Sequence, residues 1–413
     1  MKLKNTFKGD QEMNRREFLK KSGQAALAIG AGLTLEEILS SCATTETEDG
    51  LLKDASEKPR TVIYPPLKND KVQPPAEGCY IGFRRVFQNL GSPQAITESI
   101  RKAREIVGHI RDIGELRETM IQRRNQQPDL VKSRINNYVE HYQKALGQIP
   151  HNLMIMETVW LWYTFPTWEA EILAKKGVTP FLMAQVGSEI PISPYMNLDL
   201  REIIKGTYDS YIKDFAEGAR QFGEKYGGFF ISTMQEMNGF WMPWHSDPKT
   251  FKKAWQHIWE KFEEAGANRY ATWVWSPDAP DIGAPTNYRL SENPEWYYPG
   301  DDYVDWIGWS AYARASIPHQ DRSFKALNET ICNKMHSNHK GKPLMQTEFG
   351  KTDDFRQQSW LRDAFQTIKS WPEMKAAVYW DISDSPLNED YMLNSRSLEF
   401  YKEILKDPYF IMA

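Results

Sequence analysis

The chain has 413 residues, with 51 Lys and Arg against 55 Asp and Glu, a formal net charge of −4, and three cysteines. That mild acidity argues against a nucleic-acid partner, which would call for a basic face, and three cysteines are too few for a disulfide framework. No Pro-, Gly- or Ser-rich linker divides the chain beyond residue 75, so one large domain is expected there rather than two.

The N-terminus reads as an address. Residues Asn14 to Lys20, NRREFLK, form a twin-arginine pattern. A weakly apolar stretch from Ala25 to Leu35 follows, too short to span a bilayer as a permanent helix. Leu39-Ser40-Ser41-Cys42 then resembles a bacterial lipoprotein box, in which the chain is cut before the cysteine and the thiol takes a diacylglycerol. A signal peptide over 1–41, lipid on Cys42, a flexible tether over 42–75 and a catalytic domain over 76–413 are therefore expected. Lipid on Cys42 plus a further acyl chain exceeds the two-anchor requirement for stable membrane attachment. That places the protein at a bacterial cell envelope, outside the cytoplasm. A frayed amphipathic terminus with an incidental cysteine is the alternative.

Eight short runs rich in apolar, β-branched and aromatic residues recur along the remainder, at 79–86, 153–162, 179–187, 228–235, 269–276, 305–312, 343–350 and 376–383. Between them lie patterns at helical spacing. Residues 199–227 alternate apolar and polar positions with a helical period. Residues 247–267 open with Asp247 as a cap and Pro248 in the first turn, and end at Gly266. Residues 357–371 are similar. Eight strands alternating with helices predict a (β/α)8 barrel, with a doubly wound open sheet as the alternative. The connection over 88–152 is long and reads as an added helical elaboration.

Two glutamates stand at the ends of strand-like runs, Glu236 in FFISTMQEMNG and Glu348 in KPLMQTEFG. Barrel enzymes build their sites at that rim. Two carboxylates delivered from different strand ends suit a retaining glycosidase, in which one is protonated to donate to the leaving oxygen and the other is ionised to attack the sugar carbon. Strand alternation places Ser232, Met234 and Glu236 on one side of the fourth strand, and Leu344, Gln346 and Glu348 on one side of the seventh. The surrounding Trp, Met and Phe form an apolar wall that would raise a carboxylate's pKa by desolvation.

The flanking aromatic residues give flat surfaces for a sugar ring. Trp241 and Trp244 follow a strand end in a Gly/Pro-containing loop and are read as sugar platforms. Trp273 and Trp275 share a face of the fifth strand, where core packing competes with substrate contact. His245 is read as either a ligand contact or a surface residue, Asn238 as a turn-former, Gln346 as an inward polar residue and Asp381 as structural or substrate-binding. Cys79 and Cys332 are expected to be buried free thiols, with a pair between them as the alternative. The eight His show no metal spacing and no phosphate-cradling loop is present, so no metal or other cofactor is expected.

At these residues the chain resembles glycoside hydrolase family 26 over roughly 75–405. GTYDSYIKDFAEGARQFG resembles the family's third helix, MQEMNGFWMPW its acid/base segment, YYPGDDYVDWIGWSAY its sixth-strand signature and KPLMQTEFG its nucleophile strand. The resemblance implies Glu236 as acid/base, Glu348 as nucleophile, and Tyr312 as hydrogen-bond donor to the nucleophile. It also implies Trp241 and Trp244 lining the groove and Trp380 flooring the sugar at the cleavage point. The chain departs from the family at Gln235, where mannanases usually carry His, and at Ala184-Gln185-Val186-Gly187, where a Trp-Glu pair is usual. Gln235 both donates and accepts, and it holds a sugar 2-hydroxyl differently. The expected activity is a metal-free retaining hydrolase of a β-linked polysaccharide, a β-mannan or a related β-glycan, acting as a monomer. The alternatives are a catalytically silent glycan-binding lipoprotein and an exopolysaccharide-processing transglycosylase.

Overall fold

A computed structural model of the chain describes residues 62–84, 101, 104–105, 108–159, 164–187, 197–280, 291–384 and 389–413. The expected signal peptide, Cys42 and most of the expected tether lie outside the described residues. Eight strands run in chain order: β1 Cys79–Arg84, β2 Asn152–Val159, β3 Thr179–Gln185, β4 Phe229–Thr233, β5 Ala271–Trp275, β6 Trp306–Ala313, β7 Leu344–Lys351 and β8 Met374–Trp380. Each pairs in parallel with the next, and β8 returns to β1 with Tyr80–Arg84 against Ala376–Trp380. The sheet is closed, and the predicted (β/α)8 barrel is what forms.

Closure gives each strand two buried faces, which is why the strands read as nearly continuous apolar runs. Met154, Phe181, Met183, Phe230, Val274, Trp306, Met345, Ala376 and Val378 fill the barrel interior. The alternate positions, such as Leu153, Leu182, Ile231, Trp273 and Trp309, pack outward against the helices. Residues 62–75 depart from the expected tether. Leu67 and Val72 pack against the interior cluster, Val72 N donates to Thr272 Oγ1 at 2.8 Å, and Lys71 pairs with Asp305 at 2.7 Å. Two apolar side chains and a partly buried ion pair hold this segment under the barrel, so it belongs to the domain.

The helices follow from their apolar stripes. Among the described residues the pattern at 199–227 forms two helices, α4 Leu200–Ile204 and α5 Asp209–Tyr226. The break falls at Gly206, whose φ of 83° is a left-handed conformation that glycine adopts without a Cβ clash. Helix α5 buries Ile212, Phe215, Ala219 and Phe222. Helix α6, Pro248–Glu264, is capped as predicted, with Asp247 accepting from Thr250 N at 2.9 Å. In the 88–152 connection, α2 Pro128–Leu146 is the ordinary crossover helix, and its Tyr138 hydroxyl donates to Phe83 O at 2.7 Å. Among the described residues of the connection, α1, Ile113–Asn125, has the character of an addition. It buries Leu116 alone and is tied down by Arg117–Asp214 and Arg124–Glu169 ion pairs at 2.6 and 2.5 Å.

The remaining α-helices given bounds among the described residues are α3 Thr167–Lys175, α7 Phe324–Asn338, α8 Gln357–Ser370 and α9 Ser395–Ile404. A hairpin of β9 Ser383–Asp384 and β10 Glu389–Asp390 follows β8, and β11 Phe410–Ile411 adds alongside β1. Cys79 and Cys332 are buried free thiols, as expected. Among the described residues no helix is long and apolar enough to cross a membrane.

Candidate active site

Strand β4 stops at Thr233, so simple alternation does not carry Glu236 into the barrel mouth. Met234 and Glu236 both take left-handed backbone angles, φ 49° and 52°, a conformation that costs energy for residues with a Cβ. Met234 consequently joins the outer core with Met237 and does not share a face with Ser232. The turn is held by Glu236 N donating to Ser276 O at 2.7 Å and Gly239 N donating to Glu236 O at 2.8 Å. These bonds present the Glu236 side chain inward, 8 % exposed.

Glu348 also reaches the mouth by an irregularity. Gln346 lies opposite Trp309 on β6 and Ala377 on β8, both outward-facing. The next pairings skip a residue on β7: Ser310 lies opposite Glu348, and Tyr379 opposite Phe349. One extra residue in a strand is a β-bulge, which re-aims the side chains after it. The predicted common face of Leu344, Gln346 and Glu348 is therefore incorrect. Gln346 points outward and Glu348 is turned to the Ser310 side. The amide of Gln346 spans the irregularity, donating to Trp309 O at 3.1 Å and Glu348 O at 3.0 Å.

Strand β6 joins the two carboxylates. Ser310 and Tyr312, two residues apart, face the same side. The Ser310 hydroxyl hydrogen-bonds Glu236 Oε1, and the Tyr312 hydroxyl donates to Glu348 Oε2. Because Ser310 is the register partner of Glu348, both acids meet at β6. The indole of Trp241 donates to the other Glu236 oxygen at 2.9 Å. Burial pushes the Glu236 carboxyl above its ordinary value, while the Ser310 and Trp241 hydrogen bonds and the charge of Arg314 act in the opposite direction. The Tyr312 phenol is held well above its usual range, by burial first and then by the negative charges of Glu348 and Glu236. Tyr312 thus remains a donor while feeling both acids.

Several sequence-predicted residues are in the mouth and others are not. Trp380 ends β8 partly exposed, its ring edge-on to Tyr312 at 6.1 Å. Gln235 is 1 % exposed and both its amide atoms are without a hydrogen-bond partner. Trp241 is half-buried, folded over Gly239, where a Cβ would lie 2.5 Å from its ring. Trp244 is buried and donates to Gln235 O at 2.7 Å; it braces the turn and has no face free for a sugar. Trp275 is fully buried outside the barrel against Tyr298 and His339, so core packing holds there. His245 is tied through Nδ1 to Met237 O at 3.0 Å, with its ring against Phe240 at 4.9 Å. Asn238 fixes the turn through Asp278 and Glu292. Asp381 accepts from Tyr142 and from Leu393 N, both at 2.7 Å, a structural role.

Ser310 was not singled out from the sequence, although its place two residues before Tyr312 on one strand is a readable signal. Arg314, Glu389 and Tyr391 were missed as well. Arg314 Nε donates to Glu389 at 2.9 Å and to the Tyr391 hydroxyl at 3.0 Å, its guanidinium lies 5.5 Å from the Tyr312 ring, and Tyr391 packs on Tyr312 at 5.1 Å. This group pins the β10 end of the hairpin to the tyrosine that holds Glu348. Among the described residues no group of His, Cys, Asp and Glu is arranged to hold a metal ion.

Residues 201–344 match the model of glycosyl hydrolase family 26. That segment runs from α4 to the first residue of β7 and contains Glu236, Ser310 and Tyr312. Endoglucanase H of Acetivibrio thermocellus is 24 % identical over 203 residues, covering 45 % of this chain and 21 % of that protein. Beta-1,3-xylanase TXYA of a Vibrio species is 24 % identical over 262 residues, covering 54 % of this chain and 53 % of the relative. The chain therefore spans about a fifth and about half of the curated relatives it matches. The structure of GH26A from Muricauda sp. MAR_2010_75 superposes with a TM-score of 0.50 at 16 % identity, over 68 % of this chain and 88 % of the other. That likeness concerns the fold.

Proposed function

We propose that the chain is a family 26 glycoside hydrolase that cleaves a β-linked polysaccharide with retention, through a covalent intermediate on Glu348. The observation that carries the reading is the linked set at the mouth: Trp241 and Ser310 on Glu236, Tyr312 on Glu348, and Ser310 in register with Glu348. The two acids have different surroundings. Glu236 is pushed toward its neutral form by burial, the state a proton donor needs at neutral pH. Glu348 accepts the phenolic hydrogen bond of Tyr312, the contact expected of the nucleophile.

In the first step a Glu348 oxygen bonds to the anomeric carbon as the glycosidic C–O bond breaks. The electron pair goes to the leaving oxygen, which takes the Glu236 proton. In the second step water attacks the same carbon, Glu236 accepts its proton, and the Glu348 ester bond breaks. Trp380 and Trp241 border the sugar. The amide of Gln235, the residue before the acid in the chain, is a buried donor and acceptor without a partner, and a bound hydroxyl would complete it. Gln235 is thus the residue expected to sort sugars by their hydroxyl configuration.

The test is release of reducing ends from β-1,4-mannan, β-1,4-glucan, β-1,4-xylan and β-1,3-xylan by the soluble part of the chain from residue 60. Turnover of one of them, abolished in Glu348→Ala, is expected. Binding without turnover would instead mean a silent glycan-binding protein, and products longer than the starting oligosaccharide a transglycosylase. Export through the NRREFLK segment and lipid attachment at Cys42 belong to the same proposal and rest on those sequence patterns alone. Metabolic labelling with a radioactive fatty acid, lost in Cys42→Ala, is the expected result.

A further inference from the structure

Beyond the catalytic mouth, a hollow of the barrel rim lies past β7. It is open to solvent and offers about 390 Å³ between the segment after β7 and the start of α9, with Asp353, Phe355, Gln358, Asn394 and Arg396 in its wall. The Phe355 ring is 89 % exposed. Single exposed apolar residues are ordinary; this one forms the wall of a concave site whose other members are polar. The polar groups are partly fixed and partly free. Asn394 caps α9 through Ser397 N and donates to Asp353 Oδ1 at 2.9 Å, which orients the Asp353 carboxylate. Gln358 Nε2 is used by Arg396 O at 2.9 Å, leaving its carbonyl oxygen as an acceptor. Among the described residues the Arg396 guanidinium makes no ion pair or hydrogen bond. Behind the aromatic ring, Arg356 is anchored by Asp321 and Asp354 at 2.8 and 2.9 Å and sits 5.4 Å from the ring centroid.

We propose that this hollow is a distal subsite for a neutral pyranose unit of the polysaccharide whose scissile bond lies between Glu236 and Glu348. A pyranose offers an apolar C–H face, matched by the open Phe355 ring, and vicinal hydroxyls around its edge. An oriented carboxylate, an amide oxygen and a free guanidinium provide both acceptors and donors for those hydroxyls. The site is on the same rim as the chemistry. Asp353 follows Glu348 by five residues, so their Cα atoms are at most about 18 Å apart, a span for a short oligosaccharide. Asp353 N also donates to Asp390 O, joining the hollow to the hairpin that Arg314 pins beside Tyr312.

The ligand class rests on the glycosidase reading, and the experiment separates the two. Glu348→Gln protein, which does not consume its ligand, is titrated calorimetrically with oligosaccharides of two to six units from each polysaccharide of the panel. The same titrations are run on Glu348→Gln/Phe355→Ala and Glu348→Gln/Arg396→Ala. The expected result is that affinity rises with chain length in the parent and that each second substitution removes about tenfold from the longer oligosaccharides while the disaccharide is held equally. Equal affinity of parent and double variants at every length overturns the subsite. So does a loss that is the same for disaccharide and hexasaccharide, because the site would then not be distal. Reducing-end release by the wild type is scored separately. Its absence would refute the hydrolase reading without altering how the titrations are judged.

Discussion

Replacing Gln346 with Leu probes the irregularity that aims Glu348. The side chain is fully buried, and its amide nitrogen serves two backbone carbonyls, Trp309 O and Glu348 O, at 3.1 and 3.0 Å. Leucine fills a similar volume and serves neither. An unpaired buried acceptor costs about 1–3 kcal/mol, so two cost roughly 2–6 kcal/mol. The Gln346 carbonyl oxygen is itself buried without a partner, and deleting it returns about 1–3 kcal/mol by the same rule. The net loss is then about 1–3 kcal/mol, or several degrees of Tm for a domain of this size. Thermal unfolding and urea titration measure it. The functional consequence separates aiming from mere stability. If Gln346 holds Glu348 in place, kcat per folded molecule falls at least tenfold with KM little changed, because a misdirected nucleophile weakens only the transition state. A Tm several degrees lower with unaltered kcat in the folded protein would refute the aiming argument, and an unaltered Tm would refute the hydrogen-bond accounting.

Four further outcomes are expected. Trp241→Phe removes a donor that favours ionised Glu236; the proton is then held more tightly, so the alkaline limb of kcat/KM moves to higher pH, and a limb that stays or moves down contradicts the role given to the indole. Glu236→Gln lowers kcat on polysaccharide by about 10²–10⁴. It also raises Tm at pH 7: the folded-state pKa lies above the unfolded one, so stability is fully present below the unfolded value and is lost as pH rises through the folded value; urea unfolding across pH 4 to 8 checks the sign. Gly239→Ala puts a Cβ 2.5 Å from the Trp241 ring, and the displaced indole should lower kcat/KM by about tenfold or more, read alongside a quenched-fluorescence titration with glycan. Ser310→Ala leaves Glu236 Oε1 without its hydroxyl partner and should move the same alkaline limb upward, with rescue by Ser310→Thr.

The barrel was legible because its strands are buried on both faces and separated by helices with apolar stripes. Runs such as residues 179–187 and 269–276 needed no finer information to be placed. The two glutamates were legible from their aromatic surroundings. How they arrive was not. An alternation argument assumes an unbroken strand, and β7 carries an extra residue between Gln346 and Glu348 while β4 gives way at Met234 to a left-handed turn. Neither is flagged by the usual residue: Met and Glu replace the Gly or Asn that a left-handed position favours. The tryptophans illustrate the same limit. Trp241 and Trp244 share one loop and one composition, yet the first reaches Glu236 and the second is buried beneath Gln235. Loop position alone does not say which indole has a free face. Trp275 went to the outer core because the even-numbered positions of β5, not the odd ones, face the barrel interior, a phase that Val274 reports. Residues 62–75 looked like a linker by composition, and two apolar side chains, Leu67 and Val72, were enough to seat them.

The most direct test of the central claim is intact-protein mass spectrometry of Glu236→Ala, in which the second step is slowed, incubated with an activated β-glycoside of the best substrate sugar. The account predicts a mass increase of one glycosyl unit, mapped by peptide sequencing to Glu348 and absent in Glu236→Ala/Glu348→Ala. Turnover with inverted anomeric configuration and no adduct, or an adduct on any other residue, would contradict it.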